Sequence, residues 1–305
     1  MPGAPSPWNP KQWEAHVQLL LKRRYPAGMY QHVPDTVGGD CGVEGFALDG
    51  TAYQCYAAQD WVTADDLLTR QKNKMTADIG KFVFNESELA GLFGATKISR
   101  WNFVVPYWNN KELIQHATKK TEHVQKLNLK HVANEFRISI LTQEDFAVEA
   151  QLLANVNLFQ FDVAAPPLAS TKLTQWLDRR SNLSLVANLR QKSERLTQGK
   201  SQEHREKLQA RIVANYIGGN IVLGKLEREL PETYEKVVKY KNAKEANLEA
   251  ESALTSKVPS EFFELTLQGY QAELVEVPGI GPNAANTLAW EAVSDWVLRC
   301  PMRCD

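Results

Sequence analysis

The sequence predicts an α/β fold with a mixed sheet in its first half and a mainly α-helical second half. Up to about residue 157 helical and strand patterns alternate, and from residue 168 onward almost every periodic segment has helical spacing. The two textures meet at the proline pair of "DVAAPPLAS", which sets expected domains of 1–164 and 165–305. A chain of 305 residues is long enough for two separate cores.

The elements follow in order. A first helix is expected over residues 10–24, opened by Pro10, with Trp13, Val17, Leu20 and Leu21 on one stripe. Strands are expected at 29–33, 43–48 and 51–57, the last two joined by Asp49-Gly50, a strong hairpin signal. A helix over 65–84 comes next, then "WNFVVPYW" as a buried strand ending at Pro106 and a helix over 110–127. "FRISIL" reads as a strand and 142–156 as a further helix. In the second half, residues 225–251 read as one long amphipathic helix suited to homo-oligomerisation or to a partner helix. "WEAVSDWVLRCPMRC" reads as a terminal helix that buries Trp290, Val293, Trp296 and Val297.

Composition narrows the class of function. A hydrophobic fraction of 43% and a charged fraction of 23% are those of a soluble domain, and no apolar run approaches a membrane span. "MPGAPSPWNPKQW" has no basic region followed by an apolar one, so a cytoplasmic location is expected. Four cysteines, Cys41, Cys55, Cys300 and Cys304, fit neither a disulfide framework nor a four-thiolate zinc site. A net charge of −1 argues against nonspecific nucleic-acid binding by the whole surface, but leaves room for a local basic face.

The stretch "GGDCGVEGFALDGTAYQCY" is the most unusual in the chain. Gly38 and Gly39 permit a tight turn before Asp40, and Glu44 precedes Gln54 by ten positions on the facing strand. With the turn at Asp49-Gly50, paired residues have numbers summing to about 99, which puts Glu44 opposite Cys55 or Tyr56 and near Gln54. Carboxylate and amide oxygens converging there are hard ligands suited to magnesium. On spacing alone a second reading stands beside this one: two solvent-facing acids and a strand glutamine bonded to backbone.

These residues resemble the PD-(D/E)XK nuclease superfamily, in particular the Mrr-type restriction endonucleases. "WEAHVQLLLKRRYP" with Trp13 and Glu14 is similar to the family's first helix, "GGDCGVEGF" to its acidic turn, and "AYQCY" to its Q-x-K strand. The resemblance implies a restriction-endonuclease-like sheet flanked by helices and a magnesium- or manganese-dependent nuclease acting on DNA, with RNA a further candidate substrate. Glu44 and Gln54 would be metal ligands, Asp40 the preceding acid, and Glu14 the helix acid that completes the site. Bacterial antiviral defence is the family's usual setting. Tyr56 stands where the family has lysine, which raises two readings: a degenerate module that binds nucleic acid or a partner ATPase in a larger assembly, or an enzyme whose cation comes from elsewhere. Lys72, between Leu68 and Met75 on the apolar stripe of the 65–84 helix, is the expected replacement, since an unpaired inward ammonium is costly; snorkelling to water is its alternative.

Two further segments suggest nucleic-acid contact. Residues 172–211 hold ten Lys or Arg against four acids, including Arg179, Arg180, Arg190 and Lys192, a run that could follow a phosphate backbone or form a solvated face. "QAELVEVPGIGPNAANTLAW" resembles a helix-hairpin-helix element, which implies that Gly279 and Gly281 bring backbone N–H groups to a DNA phosphate.

Overall fold

The computed structural model describes residues 8–34, 39–58, 63–299 and 302. Gly38, Cys300 and Cys304 lie outside them. Two compact units divide at Met1–Glu149 and Ala150–Asp305. The division falls ahead of the proline pair because the chain before that pair already belongs to the second unit. There, Phe161 N–H donates to Gly279 O at 2.7 Å and Gly281 N–H to Phe161 O at 2.9 Å.

The first unit is a five-stranded mixed sheet in the order β1 (Tyr30–His32), β2 (Gly45–Ala47), β3 (Thr51–Cys55), β4 (Ile98–Val104), β5 (Val132–Leu141). The first three strands are antiparallel neighbours; β4 and β5 run parallel to β3. Helix α1 (Pro10–Arg24) begins at a capping box in which Asn9 Oδ1 accepts from Gln12 N–H at 2.9 Å. The long helix α2 (Ala64–Phe84), the short α3 (Glu86–Phe93) and α4 (Glu112–Lys126) complete the unit, and α5 (Ala147–Asn155) carries the division. The main core lies between the sheet and α2, α3 and α4, with Ala52, Trp101, Phe103 and Phe136 against Met75, Ile79, Phe82, Leu113 and Val124. α1 packs against β3, and Trp13 Nε1–H donates to Val104 O at 3.0 Å.

Two differences from the expected elements have simple causes. α3 was not anticipated, because only eight residues separate Asn85 from Gly94 and carry no long apolar period. The hairpin pairs Gly45 with Tyr53 and Phe46 with Ala52, so its numbers sum one lower than expected. The same register, continued, sets Glu44 against Gln54 rather than beside it.

The second unit is helical: α6 (Ser170–Leu177), α7 (Leu183–Leu196), α8 (Gln202–Glu229), α9 (Pro231–Leu254), α10 (Pro259–Val275) and α11 (Pro282–Arg299). The expected single helix over 225–251 is two helices, because Leu230 leaves helical geometry and Pro231 opens α9. α11 packs against α7, α8 and α10 and is buried along most of its length, including Val293, Trp296 and Val297. Its two buried acids, Glu291 and Asp295, close on the Lys241 ammonium at 2.8 and 2.9 Å. Among the described residues no helix is long and apolar enough to cross a membrane.

Candidate functional site

Three oxygen-bearing side chains meet where the chain enters β2 and leaves β3. The turn that carries Asp40 is fixed by Val43 N–H donating to Asp40 O at 2.8 Å and Gly42 N–H donating to Asp40 Oδ1 at 3.1 Å. Gly42 has φ 79°, and a Cβ there would run into the backbone carbonyl of Asp78 on α2. Glycine thus lets the acidic turn close against that helix. Glu44 Oε2 accepts from Cys55 N–H at 3.0 Å, which ties the carboxyl to the end of β3.

Gln54 is fully buried, and its Nε2 donates to Glu44 Oε1 at 2.8 Å and to Asp40 Oδ2 at 3.3 Å. Among the described residues its Oε1 has no hydrogen-bond partner. A buried amide oxygen left unpaired is costly, whereas an amide's two ends exchange by half a turn about the last side-chain bond. That half turn would direct Oε1 towards the carboxylates, giving three hard oxygens of the kind a small divalent cation takes. The donor set therefore fits magnesium or manganese through two carboxylates and one amide. Among the described residues there is no cluster of three or more His, Cys, Asp or Glu with metal-ligand placement.

The two acids differ in electrostatics. Burial pushes the Glu44 carboxyl up to about 8, opposed by the bonds from Cys55 and reinforced by the nearby charge of Glu14. Burial also pushes Asp40 up, but the Gly42 N–H and the Lys81 ammonium, 3.1 Å from Oδ1, outweigh it and hold the group below the usual carboxylate range. Burial raises the Cys55 thiol well above its ordinary value, which keeps it protonated and poorly nucleophilic. Cys41 is buried in the core cluster as a small apolar side chain.

A cavity of about 310 Å³ opens beside Glu44 and is lined by Glu14, Tyr56, Arg70 and Lys74 among others. The expected role of Lys72 is corrected here: its Nζ pairs with Glu112 Oε2 on α4 at 2.6 Å, and it does not line the cavity. At about 100° per residue, the buried face of α2 runs through Leu68, Gln71, Met75, Asp78, Ile79 and Phe82. Lys72 borders that face on the α4 side; Arg70, Lys74 and Lys81 border it on the side of the acids. Asp78 ties the second group together, with Lys74 Nζ at 2.8 Å and Lys81 Nζ at 3.5 Å. The stripe Arg70, Lys74, Asp78, Lys81 is visible in the sequence at near-helical spacing, but periodicity does not say which border of a buried face meets the acids.

The expected nucleic-acid contacts divide. The α11 N-terminus is already occupied by a carboxylate of the same chain: Asp162 Oδ1 accepts from Asn283 N–H at 2.6 Å and Ala284 N–H at 3.1 Å, and Oδ2 from Asn283 Nδ2 at 2.8 Å. Gly279 and Gly281 are buried, and a Cβ on Gly281 would strike the Asp162 side chain. Their expected phosphate-binding role is therefore corrected to an internal cap. Lys192 is likewise corrected, being 4% exposed with its Nζ donating to Val297 O at 2.9 Å near the end of α11. Arg179, Arg180 and Arg190 are exposed.

Comparison with family models, with curated proteins and with solved structures finds no match for this chain.

Proposed function

We propose that the first unit is a PD-(D/E)XK-like, metal-dependent nuclease whose cation is supplied by α2, and that it hydrolyses nucleic-acid phosphodiester bonds. The observation that carries the reading is the buried Gln54 amide, which joins Asp40 to Glu44, a wall of the Lys74-lined cavity, and whose oxygen is unpartnered among the described residues. Asp40, Glu44 and the Gln54 oxygen would hold magnesium or manganese, with Glu14 facing the same cavity. Bound there, the ion would supply positive charge to a phosphate oxygen and acidify a water. Lys74 and Arg70 place fixed positive charge at the cavity wall, where negative charge grows on a phosphate under attack. Asp78 orients Lys74, and Lys81 keeps Asp40 ionised.

Tyr56 favours a second reading, a module that binds nucleic acid or a partner without cutting. Its ring stacks on Phe103 at 6.1 Å and fills the position at the end of β3 where the resembling family has lysine. Incubation of supercoiled plasmid and of RNA with magnesium or manganese separates the two. Glu44→Ala should abolish cleavage, Lys74→Ala should slow it by on the order of 10²–10³, and Lys72→Ala should leave it near wild type. Loss of activity in Lys72→Ala with Lys74→Ala unaffected would sink the assignment of the cation. Binding that survives chelation, with no cutting of any nucleic acid, would establish the second reading.

A further inference from the structure

A second cavity of the first unit, about 440 Å³, lies on the sheet face away from α2, between the C-terminal end of α1 and strands β3, β4 and β5. Strand register lays two polar rows on this face. Thr51 and Arg100 line the cavity in one row, which Arg137 continues beyond the lining as the cross-strand neighbour of Arg100, and Tyr53, Asn102 and Ser139 form the next. A sheet can present one polar face to water, but Thr51, Tyr53 and Asn102 are buried here, and buried polar side chains ordinarily have partners.

Three features say what that partner is. Arg100 and Arg137 are direct cross-strand neighbours of like charge, and among the described residues neither has an ion-pair partner. Like charges directly opposite destabilise a sheet, and an anion between them reverses that cost. Asn102 is only 6% exposed, lines the cavity, and its side chain makes no hydrogen bond among the described residues. Such an amide lacks the partners that buried polar groups ordinarily have. Finally, the surrounding groups include the hydroxyls of Thr51 and Ser139 and the Tyr25–Tyr53 hydroxyl pair at 2.7 Å, beside one carboxylate, Asp49, which already accepts from the Tyr25 hydroxyl at 3.3 Å and from Thr51 N–H at 3.0 Å. Arg24 does not supply the free charge, because Glu149 holds it at 3.0 Å. The Arg100 guanidinium, with Arg137 as its cross-strand neighbour and the Thr51 and Ser139 hydroxyls in the lining, offers charged and neutral donors of the kind that hold the terminal oxygens of a phosphate monoester. The cavity falls in the size range of small-ligand sites and exceeds what phosphate alone would fill, leaving Asn102 to meet a base or sugar edge.

We propose that the polar sheet face formed by the Thr51–Arg100–Arg137 and Tyr53–Asn102–Ser139 rows binds a phosphomonoester, presented by a nucleoside 5′-monophosphate or by the 5′-phosphorylated end of a nucleic acid. The site shares no residue with the Asp40–Glu44–Gln54 cluster and does not depend on the reading given for it.

The test is titration calorimetry on the full chain, in chelator, with a nucleoside 5′-monophosphate, the unphosphorylated nucleoside, and an oligonucleotide with and without a 5′-phosphate. Phosphorylated ligands should bind at least about tenfold more tightly than their unphosphorylated counterparts. Arg100→Gln should weaken them about tenfold, and Arg100→Gln with Arg137→Gln should remove binding. Binding of the oligonucleotide alone assigns the ligand to nucleic-acid ends, and binding of the mononucleotide alone to a free nucleotide. Both substitutions lie at exposed positions and remove a repulsion, so the thermal midpoint of the double variant should not fall. Equal affinity with and without phosphate, wild-type affinity in the double variant, or no binding at millimolar concentration would each overturn the proposal.

Discussion

Protonation of Glu44 gives the most direct test of the acidic cluster, because it can be read without any substrate. Its carboxyl is raised from 4.5 to about 8, first by burial. Between those values the folded chain keeps a proton that the unfolded chain has released, so stability from this group is full below pH 4.5 and is lost as pH rises through about 8. At about 1.4 kcal/mol per tenfold change in proton affinity, the whole window is worth on the order of 3–5 kcal/mol. Glu44→Gln keeps an oxygen for the Cys55 N–H, at 3.0 Å in the wild type, but cannot titrate. Urea unfolding across this pH range should show wild-type stability declining relative to the variant, with the gap widening towards the alkaline end. Magnesium should narrow the decline in the wild type, since a metal that binds the ionised carboxylate competes with the proton and its affinity rises with pH. Parallel pH profiles for the two proteins, or equal stabilisation by magnesium at both ends of the window, would refute the argument.

Two predictions concern the second unit. Asp162→Ala removes the acceptor of three hydrogen bonds at the α11 N-terminus, so unfolding free energy should fall by about 1–2 kcal/mol while nucleic-acid affinity stays unchanged. A large gain in affinity would instead show those amides to be a masked phosphate site. Lys241→Met leaves Glu291 and Asp295 buried without their shared ammonium and should cost about 3–5 kcal/mol in chemical denaturation, a loss that Lys241→Arg should largely avoid.

Much of the first unit was legible because its signals are local. Pro10 and the Trp13-to-Leu21 stripe mark α1 over the residues expected, and Asp49-Gly50 marks the hairpin that brings Glu44 to Gln54. Which lysine shares a cavity with Glu44 was not legible, because it depends on which neighbour meets each border of α2: Glu112 of α4 takes Lys72, while Lys74 pairs with Asp78 and lines the cavity beside Glu44. The Gly279–Gly281 turn misled for a related reason. Its hairpin pattern is real, since α10 and α11 flank it, but the acid that fills its amides lies more than a hundred residues earlier in the chain. The Arg100–Arg137 pair is equally invisible from spacing, because parallel strands give no short-range sign of their register.

Under the proposed reading, a cation carried on a helix would be linked mechanically to the ligands. In a strand-borne arrangement, lysine and metal ligands share one segment, and their spacing is set by the pleat. Here Lys74 belongs to α2, and the approach of that helix to the acids is allowed at Gly42, where a Cβ would collide with the Asp78 carbonyl and whose own carbonyl accepts from Trp101 Nε1 at 3.0 Å. Gly42 therefore seats the acidic turn against α2. Asp78, one turn beyond Lys74, completes the connection by bonding Lys74 and by approaching Lys81, which bonds Asp40. Under that reading a tyrosine at the end of β3 is compatible with phosphoryl chemistry because the positive charge would approach from α2, while the ring of Tyr56 lines the cavity.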